Sequence, residues 1–153
     1  MKKEEFADLV LTYQQSMYRF ALGIVRNKQD AEDALSAAIM KAYEHLASLR
    51  DQDKFKPWIM TIIANEAKNM LSKNSRLQLV DDVAVFIEEA EENRNDVWDS
   101  VMELGEQHRQ IVILYYYDGF STREIARILK VPEGTVKSRL SRARESLKEL
   151  LSL

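Results

Sequence analysis

The side chains whose types and spacing best suit a chemical task lie near the C-terminus, in FSTREIARILKVPEGTVKSRLSRARESLKEL, residues 120–150. Val136, Leu140, Ala143, Leu147 and Leu150 recur every three or four residues and form one apolar stripe of a helix. Thr135, Ser138, Ser141 and Arg142 point away from that stripe, and Lys137, Arg139, Arg144 and Lys148 flank it. Short hydroxyls among cations suit hydrogen bonding to phosphates and base edges. Ahead of this helix, Ser121-Thr122-Arg123-Glu124 reads as a capping box, which starts a shorter helix through Ile125, Ala126 and Leu129. Lys130-Val131-Pro132 interrupts the period, and Pro132 suits the first turn of the next helix. A bracing helix, a tight turn and a cationic second helix make a helix-turn-helix, whose second helix enters a DNA major groove. Small Ala126 lets the two helices cross closely. Gly134 costs helix stability and hints at close backbone approach. The competing reading is a helical hairpin with a solvated basic face.

Three further groups could do chemistry. Lys54 and Lys56 bracket Phe55, an arrangement compatible either with base stacking beside cations or with an ordinary connector anchored by one aromatic. Thr61, Asn65, Lys68, Asn69, Ser72 and Lys73 share one helix face, which could bond bases and phosphates or simply face water. Asp30, Glu32 and Asp33 crowd the first turn of a helix, where its dipole favours anions. No histidine or further carboxylate stands at ligand spacing, so no metal and no cofactor is expected. His45 and His108 are isolated and read as surface or rim residues. No catalytic constellation emerges, and an enzyme is not expected.

The elements that would position these groups are all helical. Residues 4–26 carry Phe6, Leu9, Val10, Tyr13, Met17, Phe20 and Ile24 on one wide apolar face. A break at Asn27-Lys28 precedes a second helix, 29–48, lined by Ala31, Ala34, Leu35, Ala38, Ala42 and Leu46, with so many alanines that close packing is implied. Residues 49–57 form a polar connector. A third helix, 57–73, turns Ile59, Ile62, Ile63, Ala67, Met70 and Leu71 inward. Residues 74–95 lose the period and read as a tether, with Val83 to Ile87 docking on something apolar. A short helix with Val97, Val101 and Leu104 comes next. A second, Gln107 to Tyr117, turns Ile111, Val112, Leu114 and Tyr115 inward, and Gly119 stops it. The expected architecture is all-α: a domain at 1–76, an acidic linker at 77–95 and a helix-turn-helix domain at 96–153.

The 153-residue chain is 46% hydrophobic and 31% charged, which suits folded helical domains and argues against wholesale disorder. It contains no cysteine, so disulfides and thiolate zinc sites are absent, as fits a reducing cytoplasm. No apolar run approaches a membrane span, and MKKEEFADL lacks the apolar core of a signal peptide, so a cytoplasmic protein without membrane insertion is expected. A net charge of −3 would not suit a DNA binder were it evenly spread. Residues 1–78 hold 12 Lys and Arg against 10 Asp and Glu, residues 79–100 hold 1 against 8, and residues 101–153 hold 9 against 7. Both ends are thus mildly basic around an acidic middle. Mild basicity implies weak non-specific DNA affinity, because phosphate contacts supply most of it. Such a chain needs help to hold DNA.

Two separated runs resemble one family. LGEQHRQIVILYYYDGFSTREIARILKVPEGTVKSRLSRARESLKELL is similar to region 4 of bacterial sigma factors. DAEDALSAAIMKAYEHL followed by KFKPWIMTIIANEAKNMLSKNSR is similar to region 2. With only a tether between them, the chain resembles the extracytoplasmic-function (ECF) group. The resemblance implies that region 2 docks on the beta-prime coiled coil of core RNA polymerase, melts the minus-ten promoter element and captures unpaired bases. Region 4 would read the minus-thirty-five element and sit on the beta flap, and the linker would thread toward the active site and RNA exit. Carried onto this chain, Asp30, Glu32, Asp33 and Lys41 belong to polymerase docking. Lys54, Phe55, Lys56, Trp58, Asn65 and Lys68 face melted DNA, and Thr135, Lys137, Ser138, Arg139, Ser141 and Arg142 form the recognition helix. An anti-sigma factor is expected as a further partner, and a small-molecule substrate is not.

The chain departs from that pattern in two places. Ser36 and Ala37 stand where the family usually has Gln and an acid, which bears on polymerase docking. Gly105 stands where proline is common, which alters only a helix entry. Two other functions compete. A stand-alone helix-turn-helix regulator would bind operator DNA as a dimer and would have no need for the polar features of residues 4–73. A helical adaptor that binds only protein would touch no DNA at all.

Overall fold

A computed structural model describes residues 1–74 and 96–151. The acidic linker at 77–95, with its expected docking of Val83 to Ile87, lies outside the described residues. Among the described residues seven α-helices succeed one another and there is no strand. They are α1 (Lys3–Val25), α2 (Lys28–Glu44), α3 (Phe55–Asn74), α4 (Asp96–Glu103), α5 (Glu106–Val112), α6 (Thr122–Leu129) and α7 (Glu133–Leu151). Helix α5 runs on into a π-helical turn at Ile113–Tyr117.

The first three helices form a bundle. Helix α1 ends because Arg26 adopts the left-handed conformation (φ 65°), its amide closing on the Leu22 carbonyl at 2.8 Å. Asn27 then caps α2, its side chain accepting from the Asp30 amide at 2.8 Å. Because α2 begins at Lys28, only Asp30 of the three acids lies in its first turn; Glu32 and Asp33 fall beyond it. Ala31, Ala34, Ala38 and Ala42 are fully buried, and α2 packs on both α1 and α3. Helix α2 ends at Glu44, four residues short of the expected 48, and two short 3₁₀ turns, Leu46–Ser48 and Gln52–Lys54, lie between it and α3. Helix α3 starts at Phe55, two residues earlier than the sequence pattern suggests. Pro57 still falls in the first turn, where a missing N–H breaks no helical bond. Met60 and Ala64 join Ile59, Ile63 and Ala67 in the core, while Ile62, Met70 and Leu71 are half-buried.

In the second half, Val101 and Leu104 are buried but Val97 is exposed, because α4 is only two turns long and its start overhangs the core. The π-helical turn is a departure from the single helix expected at Gln107 to Tyr117. Widening the turn shifts the phase of the residues C-terminal to it. Ile113 and Leu114 are buried, whereas Tyr115 is only half-buried. Gly119 takes φ 73°, a left-handed value that suits glycine.

The two halves share one apolar cluster, running from Phe6 of α1 through Phe55 of α3 and Ile113 to Leu140 of α7. Helix α1 lies against α5 and the π-helical turn, and α3 lies against α6. They come close at Gly23, where an added Cβ would collide with Cδ1 of Ile113. Among the described residues, no helix is long and apolar enough to cross a membrane.

Candidate nucleic-acid interface

The recognition surface is built by local bonds around α6 and α7. Ser121 Oγ accepts from the Glu124 amide at 3.1 Å, and the Ser121 amide donates to Glu124 Oε1 at 3.0 Å. The capping box is therefore complete. At the other end of α6, Lys130 turns left-handed (φ 58°) and the Val131 amide reaches back to the Ala126 carbonyl at 3.0 Å. Thr122 Oγ1 then donates to Glu133 Oε1 at 2.9 Å, clamping the start of α6 to the start of α7. The Pro132 carbonyl accepts from the Thr135 and Val136 amides, so Pro132 precedes α7 rather than opening it.

On α7, Val136, Leu140 and Ala143 are buried. Lys137, Ser138, Ser141 and Arg142 are exposed on one face, as positions one, four and five residues apart must be. Thr135 and Arg139 are half-buried beside them. The apolar stripe ends sooner than its spacing predicts: Leu147 is half-buried and Leu150 is 41% exposed, because α7 outruns the helices beneath it. No atom of the described chain comes within 4 Å of a Cβ at Gly134, so packing within the chain does not demand glycine there. Arg144 is not part of the open face. Its Nε donates to the Tyr116 hydroxyl, and that bond, with electrostatic attraction to Tyr116 and Tyr115 as a lesser cause, holds its pKa above the ordinary arginine value. The guanidinium lies 5.8 Å and 5.7 Å from the Tyr115 and Tyr116 ring centroids.

The first half presents a different geometry. A hollow of ≈ 280 Å³ opens between the end of α2, the first 3₁₀ turn and α3, lined by Lys41, His45, Ser48, Trp58, Ile62, Asn65 and Glu66. A cavity of ~150 Å³ can hold benzene, so the hollow has room for one base. Lys41 Nζ donates to Glu66 Oε1 at 2.8 Å across the rim, and that bond raises the lysine pKa. Lys41, Trp58 and Asn65, expected on separate grounds, thus share one site. Lys68 and Lys54 are exposed outside its lining. His45 and Ser48 join the lining although the sequence marks His45 only as an isolated rim residue. Asp30 accepts from Asn27 Nδ2 at 2.8 Å, Asp33 accepts from Gln29 Nε2 at 3.1 Å, and Glu32 and Asp33 face solvent.

Phe55 corrects an expectation. It is 0% exposed, with its ring 6.1 Å from Phe6, 5.9 Å from Tyr13 and 6.1 Å from Trp58. A ring enclosed by three aromatics cannot stack on a base, so of the two readings of Lys54-Phe55-Lys56 the anchor is right. Lys56 is also engaged. Its Nζ donates to the Asp118 carbonyl at 3.1 Å and sits 5.6 Å from the Tyr13 ring and 5.2 Å from the Phe120 ring.

Sequence reasoning missed the polar groups between the halves. Arg109 is buried, donating to the carbonyls of Gly23 (through Nε) and of Leu104 (through Nη1, at 2.8 Å). Burial, with Arg26 nearby as a lesser cause, pulls its pKa down to about 10. Its helical phase with Val112 and Ile113 was a legible signal that it faces inward. Arg19 and Asp118 meet at 3.0 Å, and nothing in the local pattern of either residue announces the other.

Known proteins share this arrangement. Residues 9–77 match the model described as sigma-70 region 2, and residues 94–147 match sigma-70, region 4. The RNA polymerase sigma factor SigV of Bacillus subtilis is 29% identical, over 94% of this chain and 92% of its own. The ECF RNA polymerase sigma-E factor of Escherichia coli K12 is 32% identical, over 95% of this chain and 85% of its own. Among solved structures, the sigma factor RpoE of Bartonella quintana, in complex with the anti-sigma factor NepR, superposes with a TM-score of 0.82 at 28% identity, covering 98% of each chain.

Proposed function

The chain belongs to the sigma-70 family as an RNA polymerase sigma factor of the ECF group, and from that premise we infer which of its residues carry out promoter-specific initiation. Residues 1–76 act as the region 2 unit and residues 96–153 as the region 4 unit. Lys137, Ser138, Ser141 and Arg142 of α7 meet the minus-thirty-five element, with Thr135 and Arg139 at the edge of the contact. Lysine neutralises phosphate, and the hydroxyls and the guanidinium address base edges. In the first half, the hollow takes one unstacked base of the melted minus-ten element. The Trp58 ring supplies a stacking surface, Asn65 hydrogen-bonds the base edge, and Lys54 and Lys68 hold the strand. Phe55 supports this site from within the core and touches no DNA. Asp30, Glu32, Asp33 and Lys41 lie on the helix that docks on the beta-prime coiled coil. Ser36 and Ala37 carry no charge and leave that docking to the acids nearer the start of α2 and to Lys41 near its end.

One observation carries this reading: a single chain holds two DNA-competent surfaces of different kinds, an open hydroxyl-and-cation helix face for duplex and a base-sized hollow for single strand. A stand-alone regulator would use only the first. The Bartonella protein is described with an anti-sigma factor bound, and a partner of that class is proposed here too. Run-off transcription with purified core polymerase tests the function. Transcripts from cognate promoters are expected only when this chain is present, and polymerase that initiates identically without it would overturn the reading.

A further inference from the structure

On α7, Arg144 stands two turns beyond Lys137 and Lys148 one turn further, so these three cations and Ser141 follow one edge of the helix. That edge borders the open face that carries Ser138 and Arg142. Arg144 is held there from outside its own helix, by two consecutive tyrosines of the π-helical turn. The guanidinium lies 5.8 Å from the Tyr115 ring centroid and 5.7 Å from that of Tyr116, and the two rings meet edge to face at 5.0 Å. In an unbroken α-helix consecutive side chains diverge by ~100°. A π-helical turn winds more loosely, so both rings reach the same cation, and turns of this kind concentrate at functional sites. The arrangement leaves Tyr116 52% exposed, with its hydroxyl accepting from Arg144 Nε.

We infer that Tyr116 and Arg144 form a clamp for one backbone phosphate of the minus-thirty-five duplex, beside the base-reading face of α7 rather than on it. The clamp rests on the proposed function of α7. Its donors fit a phosphate. Arg144 commits Nε to the Tyr116 oxygen and retains the fork of its two terminal nitrogens, which matches phosphate oxygens. The Tyr116 hydroxyl accepts that bond and so keeps its own proton to donate. A guanidinium already fixed against two rings loses less side-chain freedom on binding than a free lysine does. Acidic neighbours stand aside: Glu145 projects ~100° away around the helix, and Glu133 lies at the far end of the edge, 3.8 Å from Lys137. A merely mechanical brace between α7 and the π-helical turn would work through the ring faces alone, so the hydroxyl separates the two roles.

The test is binding of holoenzyme, core polymerase with the full-length chain, to minus-thirty-five duplexes in which each phosphate in turn is replaced by an uncharged methylphosphonate. With the parent chain, one position flanking the bases addressed by α7 is expected to weaken binding when neutralised. That penalty should vanish in Arg144→Ala and shrink in Tyr116→Phe, which keeps the ring. On unmodified duplex, Arg144→Ala should bind about ten-fold more weakly, on cognate and scrambled sequences alike. Its plot of log affinity against log salt should be shallower by about 1. Arg144→Lys should recover that slope without recovering full affinity, since an ammonium cannot hold the hydroxyl and fork a phosphate together. A phosphate profile and a salt slope in Arg144→Ala identical to the parent's overturn the clamp and leave a brace. Should Arg144→Ala lose helix content by circular dichroism, Tyr116→Phe decides, and an unchanged profile in that variant overturns the clamp equally. If the parent holoenzyme does not hold the minus-thirty-five duplex at all, the assignment of α7 falls and the clamp with it. If it holds the duplex while the profile ignores Arg144, only the clamp falls.

Discussion

The face of α7 and the hollow between α2 and α3 are both candidate DNA surfaces, yet they are assembled in opposite ways. Everything that shapes the α7 face lies within about thirty residues of chain. The Ser121–Glu124 box starts the bracing helix, the left-handed Lys130 ends it, and the Thr122–Glu133 bond sets the turn. The exposed quartet then projects from a helix whose other side is anchored by Val136, Leu140 and Ala143. The hollow instead draws Lys41 and His45 from the end of α2 and Trp58, Asn65 and Glu66 from α3. Trp58 is backed by Phe55, 6.1 Å away between ring centroids, which is held in turn by Phe6 and Tyr13 of α1. A local surface tolerates loss of a distant neighbour. A surface built from three helices inherits the stability of all of them.

Substitutions can break or sharpen that contrast. The largest effect is expected from Phe55→Ala, which empties a fully enclosed aromatic site and should cost ~3–5 kcal/mol in chemical denaturation. It should abolish minus-ten binding with it, and a loss below about 1 kcal/mol would mean the hollow does not depend on the aromatic behind Trp58. Arg142→Ala, on an exposed position, should leave stability within about 0.5 kcal/mol. Its cost, ~1–3 kcal/mol, should appear instead in holoenzyme affinity for minus-thirty-five duplex, with relaxed sequence preference. Lys137→Ala should weaken all sequences alike, and if Arg142→Ala behaved the same way, base readout would have to lie elsewhere on α7. Trp58→Ala should lower affinity for the melted minus-ten strand by ~1–3 kcal/mol while leaving minus-thirty-five duplex binding unchanged; equal losses on both would join the two surfaces into one. Ser121→Ala should be the mildest, about 1 kcal/mol of thermal stability from a lost cap. Unaltered recognition by the folded variant would mark the capping box as a device for stability alone.

The same contrast governs how much could be read in advance. The helix-turn-helix, its capping box and its apolar stripe through Ala143 were legible because every signal is short-range: a cap three residues from its partner, a stripe repeating every turn. Leu150 escaped because periodicity marks the side of a helix but not where its neighbours stop. Phe55 remained ambiguous between stacking and anchoring, since an aromatic beside two lysines has the same local pattern in either role. Only the approach of Phe6 and Tyr13, some forty to fifty residues away, decides it. The helical phase of Arg109 marks an inward face, but phase says nothing of its acceptor on Gly23.

By itself, the order of amino acids determined the helical elements, the helix-turn-helix and the kinship with two sigma-factor regions. These depend on propensities, caps and spacings within a few turns of chain. Tertiary structure alone decided that Phe55 is core, that Lys41, Trp58 and Asn65 meet around one hollow, and that Arg19 and Lys56 reach across to Asp118. Those outcomes join residues up to 99 positions apart, and the approach of α1 and α3 to the C-terminal helices is set by how whole surfaces fit, not by any local pattern.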